Sequence, residues 1–182
     1  MWEIGRIKTE SLKKAHQDRL VEFLRRISEP SAAARMVLKR TIPQFVLEYG
    51  WWYKAAKLPK GIAIGTPKEC HRNAADLALA DDSLIYCEGY AIFKSQPTLH
   101  AWVTDGHGRA IDNTWAKPGV AYAGVPFQTD FVNLTMLKNH AFISLLDDYR
   151  NRFPLRGDLG DRPDEWLELR GRGEKRICEP VD

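Results

Sequence analysis

Apolar residues first fall into a clear pattern over residues 9–27. Leu12, Leu20, Phe23, Leu24 and Ile27 recur at helical spacing, with Lys13, Lys14, Asp18, Arg25 and Arg26 between them, which predicts an amphipathic helix with those five inward. Glu29-Pro30 breaks the pattern, and Ser31 is placed to cap a second helix through Ala33, Met36, Val37 and Leu38. After Pro43 comes a dense apolar and aromatic stretch of Phe45, Val46, Leu47, Tyr49, Trp51, Trp52 and Tyr53, expected in a core or as a lid over one. Residues 1–60 therefore read as a helical N-terminal part, closed by a turn at Pro59-Lys60-Gly61.

The middle of the chain changes period. Thr66-Pro67-Lys68-Glu69 fits a capping box with proline at the first helical position. The helix it starts runs through Cys70, Ala74, Leu77 and Ala78, which share one face, to about Ala80. Strands are expected over 84–93, 99–104 and 109–115, with a fourth short one over 120–127. Asp105-Gly106-His107-Gly108 joins the second and third as a hairpin. Residues 131–149 read as a last helix with Leu134, Leu137, Phe142, Leu145 and Leu146 inward. Beyond residue 153, Gly, Pro and charge dominate, and an exposed polar tail is expected, with a single helical turn near Trp166. The organisation is one domain over 1–152, with a core at 65–127 and a C-terminal helix at 131–152, followed by a tail at 153–182.

Composition narrows the class. At 182 residues, 44% hydrophobic and 28% charged, the chain has globular composition and room for one ordinary domain. No apolar run approaches the roughly 20 residues that cross a bilayer, and the first residues carry no signal-peptide core. Three cysteines, Cys70, Cys87 and Cys178, are too few for a disulfide scaffold, so reduced thiols in a cytoplasmic setting are expected. The net charge of +3 is uneven: residues 1–60 hold 13 basic and 6 acidic residues. That surplus leaves nucleic acid open as a partner, although no nucleic-acid motif accompanies it and solvated helix faces account for it. No Walker or dinucleotide loop and no metal-ligand spacing occurs, so no cofactor and no metal are expected.

Cys70 stands at the start of a helix, ahead of a hairpin carrying His100 and Asp112. The positive end of a helix and a nearby imidazolium both favour a thiolate over a thiol. His100 is suited to take the thiol proton and return it to a leaving group, and Asp112 to hold the imidazole in one tautomer. Core packing is the competing explanation for any lone cysteine on an inward helix face, and it is the preferred one for Cys87. Asn73 and Gln44 are candidate oxyanion donors, Glu88 a groove residue or a paired structural carboxylate, and Trp102 a core residue that shields the pair from water. His71, beside Cys70, is expected on the rim or in solvent, because helical neighbours point about 100° apart.

Four segments carry a resemblance: Glu69-Cys70-His71-Arg72-Asn73-Ala74, Glu88-Gly89-Tyr90, His100-Ala101-Trp102-Val103 and Ile111-Asp112-Asn113-Thr114-Trp115. In this order they resemble the transglutaminase-like branch of the papain-type thiol enzymes. The resemblance covers residues 65–116. It implies an α+β fold, with N-terminal helices and a Cys-bearing helix packed on a small antiparallel sheet. It also implies Cys70 as nucleophile, His100 as general base and Asp112 as orienting acid. The implied activity is hydrolysis or transfer of acyl groups at amide bonds of a protein or peptide substrate; inactive relatives are also known, so a binding or assembly protein on the same fold is the alternative. The chain departs from the family in lacking a Gly-rich tract before the cysteine, and its gaps of 30 and 12 residues between the three are compact.

The hairpin makes a geometric demand. A loop of two or four residues centred on Gly106 and His107 sets His100 opposite Asn113 and turns Asp112 to the other face. A three-residue loop sets His100 opposite Asp112. The triad therefore needs an odd-length loop or a bulge, whereas an even loop would nominate Asn113 in place of Asp112.

Overall fold

Because strand side chains alternate, the central sheet divides its residues into two sets, and each set forms its own core. The computed structural model describes residues 2–32 and 38–178, with side chains from residue 10 onward. The described elements are α1 (Trp2–Ile27), α2 (Ile42–Tyr49), β1 (Trp51–Ala55), α3 (Cys70–Ala80), β2 (Ile85–Phe93), β3 (Gln96–Thr104), β4 (Arg109–Ile111), β5 (Ala121–Pro126), α4 (Thr129–Asn139) and β6 (Lys175–Arg176). The strand order is β4-β3-β2-β5-β1-β6, and a parallel pairing of β1 with β4 closes five of the strands into a barrel. The fold is thus mixed α/β, with helices outside a small and mostly antiparallel barrel.

Trp51, Tyr53, Cys87, Ala91, Trp102 and Tyr122 fill the barrel interior. The alternate residues, among them Tyr86, Tyr90, Ala101, Val103 and Val125, face outward against Leu20 and Leu24 of α1, Phe45 of α2 and Ala74 and Ala78 of α3. Five strands enclose space for side chains only. Two glycines register how tight that space is. A Cβ on Gly124 would lie 2.5 Å from the Trp102 ring, and one on Gly89 would lie 2.2 Å from the Ala123 carbonyl oxygen. The strand expected over 84–93 is therefore continuous through Gly89, which pairs with His100 on one side and Gly124 on the other.

Several expectations change. The aromatic stretch after Pro43 divides into α2 and β1, so the N-terminal 60 residues are not wholly helical. Leu12 and Ile27 are exposed while Leu20 and Leu24 are fully buried. At 26 residues, α1 is ~39 Å long, and its fully buried residues Leu20 and Leu24 lie in its C-terminal half. The second helix expected from Ser31 falls mainly on residues 33–37, outside the described residues.

The C-terminal helix expected over 131–149 stops at Asn139, where His140 adopts a left-handed conformation with φ of 50°. Its buried face is Val132 and Met136, an i, i+4 pair, so Leu134 and Leu137 point outward. Leu145 and Leu146 are buried, but from the irregular segment that follows. The expected strand over 109–115 pairs only as far as Ile111. Finally, the segment after 153 is no exposed tail. It winds through short 3-10 turns, buries Leu155 and Trp166 completely and adds β6 to β1. Trp166 packs against Phe45, Tyr49 and Phe127, and this aromatic cluster outweighs the polarity around it.

Candidate active site

The start of α3 differs from the capping box expected at 66–69. Lys68 has φ of 68°, which turns the chain, and the first helical residue is Cys70. Glu69 at the N-cap makes no side-chain cap. Instead Asn73 holds the loop: its Oδ1 accepts from the Thr66 N–H at 3.0 Å and its Nδ2 donates to the Thr66 carbonyl at 2.8 Å. The Asn73 amide also donates to Thr114 Oγ1 at 3.0 Å, tying the start of α3 to the segment after β4. Cys70 therefore has the first position of a helix, where backbone N–H groups lack intrahelical partners.

His100 belongs to the inward-facing set of β3. The register pairs Val103 with Ile111 and Thr104 with Ala110, so five residues, Asp105 to Arg109, separate the last paired positions. That odd number keeps His100 and Asp112 on one face, although the register sets Asp112 two residues short of the position opposite His100. The offset is closed by side-chain reach: His100 Nε2 donates to Asp112 Oδ2 at 2.9 Å. Asp112 also accepts from Tyr122 Oη at 2.9 Å and from the Thr114 N–H at 2.9 Å. Tyr122 is in turn held by the Gly119 N–H at 2.7 Å. Trp115 stacks on the imidazole, with centroids 3.8 Å apart and planes at 4°. The pair is buried: His100 is 3% exposed and Asp112 4%. With Nε2 committed to the carboxylate, Nδ1 is the ring nitrogen left for the thiol.

The Cys70 thiol lies close enough to the His100 and His71 imidazoles to interact with both. Burial alone would push its pKa up, but the two imidazoles, through hydrogen bonds and charge, pull it down to about 5. Burial would likewise lower the pKa of His100, yet the hydrogen bonds to Asp112 and Cys70 and their charges raise it to about 9. Between those values the two groups form a thiolate and imidazolium pair. Cys87, in contrast, lies in the barrel interior, where burial drives its thiol pKa far up and keeps it inert.

His71 lies on the rim, as the sequence suggests, lining the cleft with 23% of its side chain exposed. Its ring is nevertheless held from within. Its Nδ1 bonds Tyr86 Oη at 3.0 Å and lies 3.9 Å from Glu88 Oε2. Glu88 is fully buried on the outward face of β2. It accepts from Tyr86 Oη at 3.2 Å, from the Leu145 N–H at 2.8 Å and from Ser144 Oγ. Burial pushes the Glu88 carboxyl up, opposed by the His71 charge and those donors. Burial pushes His71 down, but the Glu88 charge and the hydrogen bond to Cys70 prevail, and its pKa is raised. A single Glu in an otherwise apolar strand was the signal for this second pair; its partner histidine lies 17 positions earlier and is found only in three dimensions.

The other sequence candidates lie elsewhere. Both amide hydrogens of Asn73 are used in holding the loop. Gln44 completes the capping box of α2, its Oε1 accepting from the Thr41 N–H at 2.8 Å. Trp102 is 1% exposed inside the barrel, packed between Tyr53 and Tyr122, which removes it from substrate contact. Asn113 is buried and its carbonyl accepts from the Gly65 N–H at 2.7 Å, while Asp112 takes the bond to His100.

A cleft of about 830 Å³ opens beside the start of α3, with His71 in its wall. Lys68, Glu69, Arg72, Leu79, Leu137 and Phe142 are among its other lining residues, whereas Cys70 and His100 are not, so the exposed face of α4 contributes to it. Among the described residues no cluster of His, Cys, Asp or Glu is arranged to hold a metal ion, and no helix is long and apolar enough to cross a membrane. No protein-family model, curated protein or solved structure matches the chain.

Proposed function

We propose that this protein is a thiol-dependent acyl-transfer enzyme of the transglutaminase-like or papain-like kind, acting on amide or ester carbonyls and passing the acyl group to water or an amine. The observation that carries the reading is the hydrogen-bonded pair of His100 and Asp112 set beside the Cys70 thiol, which stands at the first residue of a helix near an open cleft. The order of motifs along the chain adds to it.

In this reading the Cys70 thiolate attacks the carbonyl carbon and the C=O π pair moves to oxygen. The tetrahedral intermediate collapses, and the His100 imidazolium gives its proton to the departing amine. An acyl thioester on Cys70 remains. Water or an amine then attacks it, losing a proton to His100, and the thiolate leaves. Asp112 is a positioning residue that keeps the His100 Nε2 proton pointed at itself. The apolar part of the cleft lining, Leu79, Leu137 and Phe142, suits an acyl donor with an apolar side chain. Such a nucleophile works in a compartment that keeps thiols reduced, consistent with three free cysteines.

The test needs no known substrate. Incubation with p-nitrophenyl acetate is expected to release p-nitrophenolate and leave one acetyl group on Cys70, visible by peptide mass spectrometry. Cys70→Ser should abolish both. Release at the same rate from Cys70→Ser, or alkylation of the parent by iodoacetamide that rises only near pH 8.5, defeats the reading.

A further inference from the structure

We infer that His71 is the side-chain donor to the oxyanion, a second catalytic imidazole held in place by Tyr86 and Glu88. The inference rests on the acyl-transfer reading above and adds a residue to its machinery. Three observations carry it.

The first is proximity and direction. The His71 Nδ1 is engaged at 3.0 Å by Tyr86 Oη. That hydroxyl donates onward to Glu88 Oε2, so its oxygen accepts and Nδ1 carries the proton. That leaves Nε2 as the ring nitrogen open to the adjacent Cys70, whose thiol interacts with His71. A donor beside the attacking sulfur is also beside the oxygen of the carbonyl being attacked.

The second is elimination. Formation of the carbon–sulfur bond puts a full negative charge on the former carbonyl oxygen. The free N–H groups at the start of α3 offer one kind of contact. A side-chain donor must come from a group that is near the sulfur and not already committed. Asn73 and Gln44 are committed elsewhere, and Trp102 Nε1 is sealed within the barrel. His71 alone among these candidates adjoins Cys70 in the chain, interacts with its thiol and lies in the cleft wall.

The third is the unusual burial behind it. Glu88 is a fully buried carboxylate that has no part in the His100 pair. It faces His71 at 3.9 Å, and its other contacts, from Tyr86, Ser144 and Leu145, are all donors. A buried anion aimed at one imidazole favours the imidazolium, which is the form that donates from both nitrogens.

The step balances without a further reactant. The thiolate pair forms the C–S bond, the π pair of the carbonyl becomes the oxyanion lone pair, and His71 Nε2–H donates to it without transferring its proton. On collapse the pair returns to the C=O bond and the leaving group departs.

Alkylation by iodoacetamide is displacement at a saturated carbon and passes through no oxyanion, whereas acetylation by p-nitrophenyl acetate does. The ratio of the two rates at Cys70, at pH 7, isolates the oxyanion contact from thiol ionisation. His71→Leu is expected to lower that ratio about 100-fold. His71→Gln, which restores a neutral donor, should recover part of it. Tyr86→Phe, which releases the ring from its anchor, should lower it severalfold. A ratio in His71→Leu equal to the parent's overturns the role of His71 while leaving the acyl-transfer reading intact. Where thermal unfolding shows that His71→Leu does not fold, the near-isosteric Tyr86→Phe decides, and an unchanged ratio there overturns the proposal. A parent thiol that alkylates like a free cysteine defeats the underlying reading instead.

Discussion

Two imidazoles meet one sulfur, and they are built in opposite ways. His100 comes from the inward set of strand residues, and its acid, Asp112, is held by Tyr122 and Thr114 with Trp115 stacked over the ring. His71 comes from the helix outside the barrel, and its acid, Glu88, belongs to the outward set and is held by Tyr86 and residues 144–145. The inner pair is buried, with His100 only 3% exposed. The outer imidazole borders the cleft, with 23% of its side chain exposed. The contrast teaches that a barrel wall can bring both of its faces to one reactive atom. In the proposed reading the inner face supplies the proton carrier, and the outer face supplies a contact that substrate can reach.

The comparison can be broken most severely from the inside. His100→Ala should raise the Cys70 pKa from about 5 toward that of a free thiol. Iodoacetamide alkylation at pH 6 should then slow by about two orders of magnitude, and acyl transfer to an amine leaving group by more. Asp112→Asn removes the acceptor that fixes the His100 tautomer. Turnover is expected to fall about 100-fold or more while Cys70 remains alkylated, which separates positioning from thiolate formation. An Asp112→Asn protein with parental turnover would make the inner pair merely structural.

The pH profile sharpens the division further. The thiolate is present above about 5 and the His100 imidazolium below about 9. Alkylation should therefore rise through pH 5 and stay high, because it needs only the thiolate. Amide cleavage should rise through pH 5 and fall through pH 9, because it also needs the His100 proton. A cleavage profile that follows alkylation above pH 9 would remove His100 as the proton donor.

Stability effects are smaller and sort by face. Gly124→Ala forces a methyl against Trp102 inside the barrel and should cost about 1–3 kcal/mol, read from the urea midpoint. Ser144→Ala removes one donor to Glu88 on the outer face and should cost about 1 kcal/mol. Leu134→Ser, on the exposed face of α4, should change stability by less than about 0.5 kcal/mol.

Local chemistry was legible wherever one short segment decides it. The apolar runs through 84–93 and 99–104, the Asp-Gly-His-Gly turn and the helix from Cys70 to Ala80 all follow from neighbours in sequence. The parity argument was legible too. Side chains alternate with period two, so an odd loop was the condition for His100 and Asp112 to share a face, and five residues separate the last paired positions. The boundaries at 66–69 and 139–140 were not legible. Each depends on a distant contact: Asn73 reaching back to Thr66, and Asn139 reaching forward to Asp148 at 3.4 Å. The C-terminal segment was misread because composition reports polarity, whereas Trp166 and Leu155 report what the rest of the molecule has left uncovered.

The sequence by itself determined the residue types, their order and their spacing: a cysteine at a helix start, a histidine and an aspartate on facing sides of a hairpin, and a lone glutamate in an apolar strand. Only the tertiary structure decided that the strands close into a barrel, through the parallel pairing of β1 with β4 that no local pattern encodes. Closure gives the sheet an inside and an outside, and the helix that begins at Cys70 draws on both. Which histidine meets the sulfur from which side is a property of that closure, because a side chain's face is fixed by its strand but its neighbours are fixed only when distant strands meet.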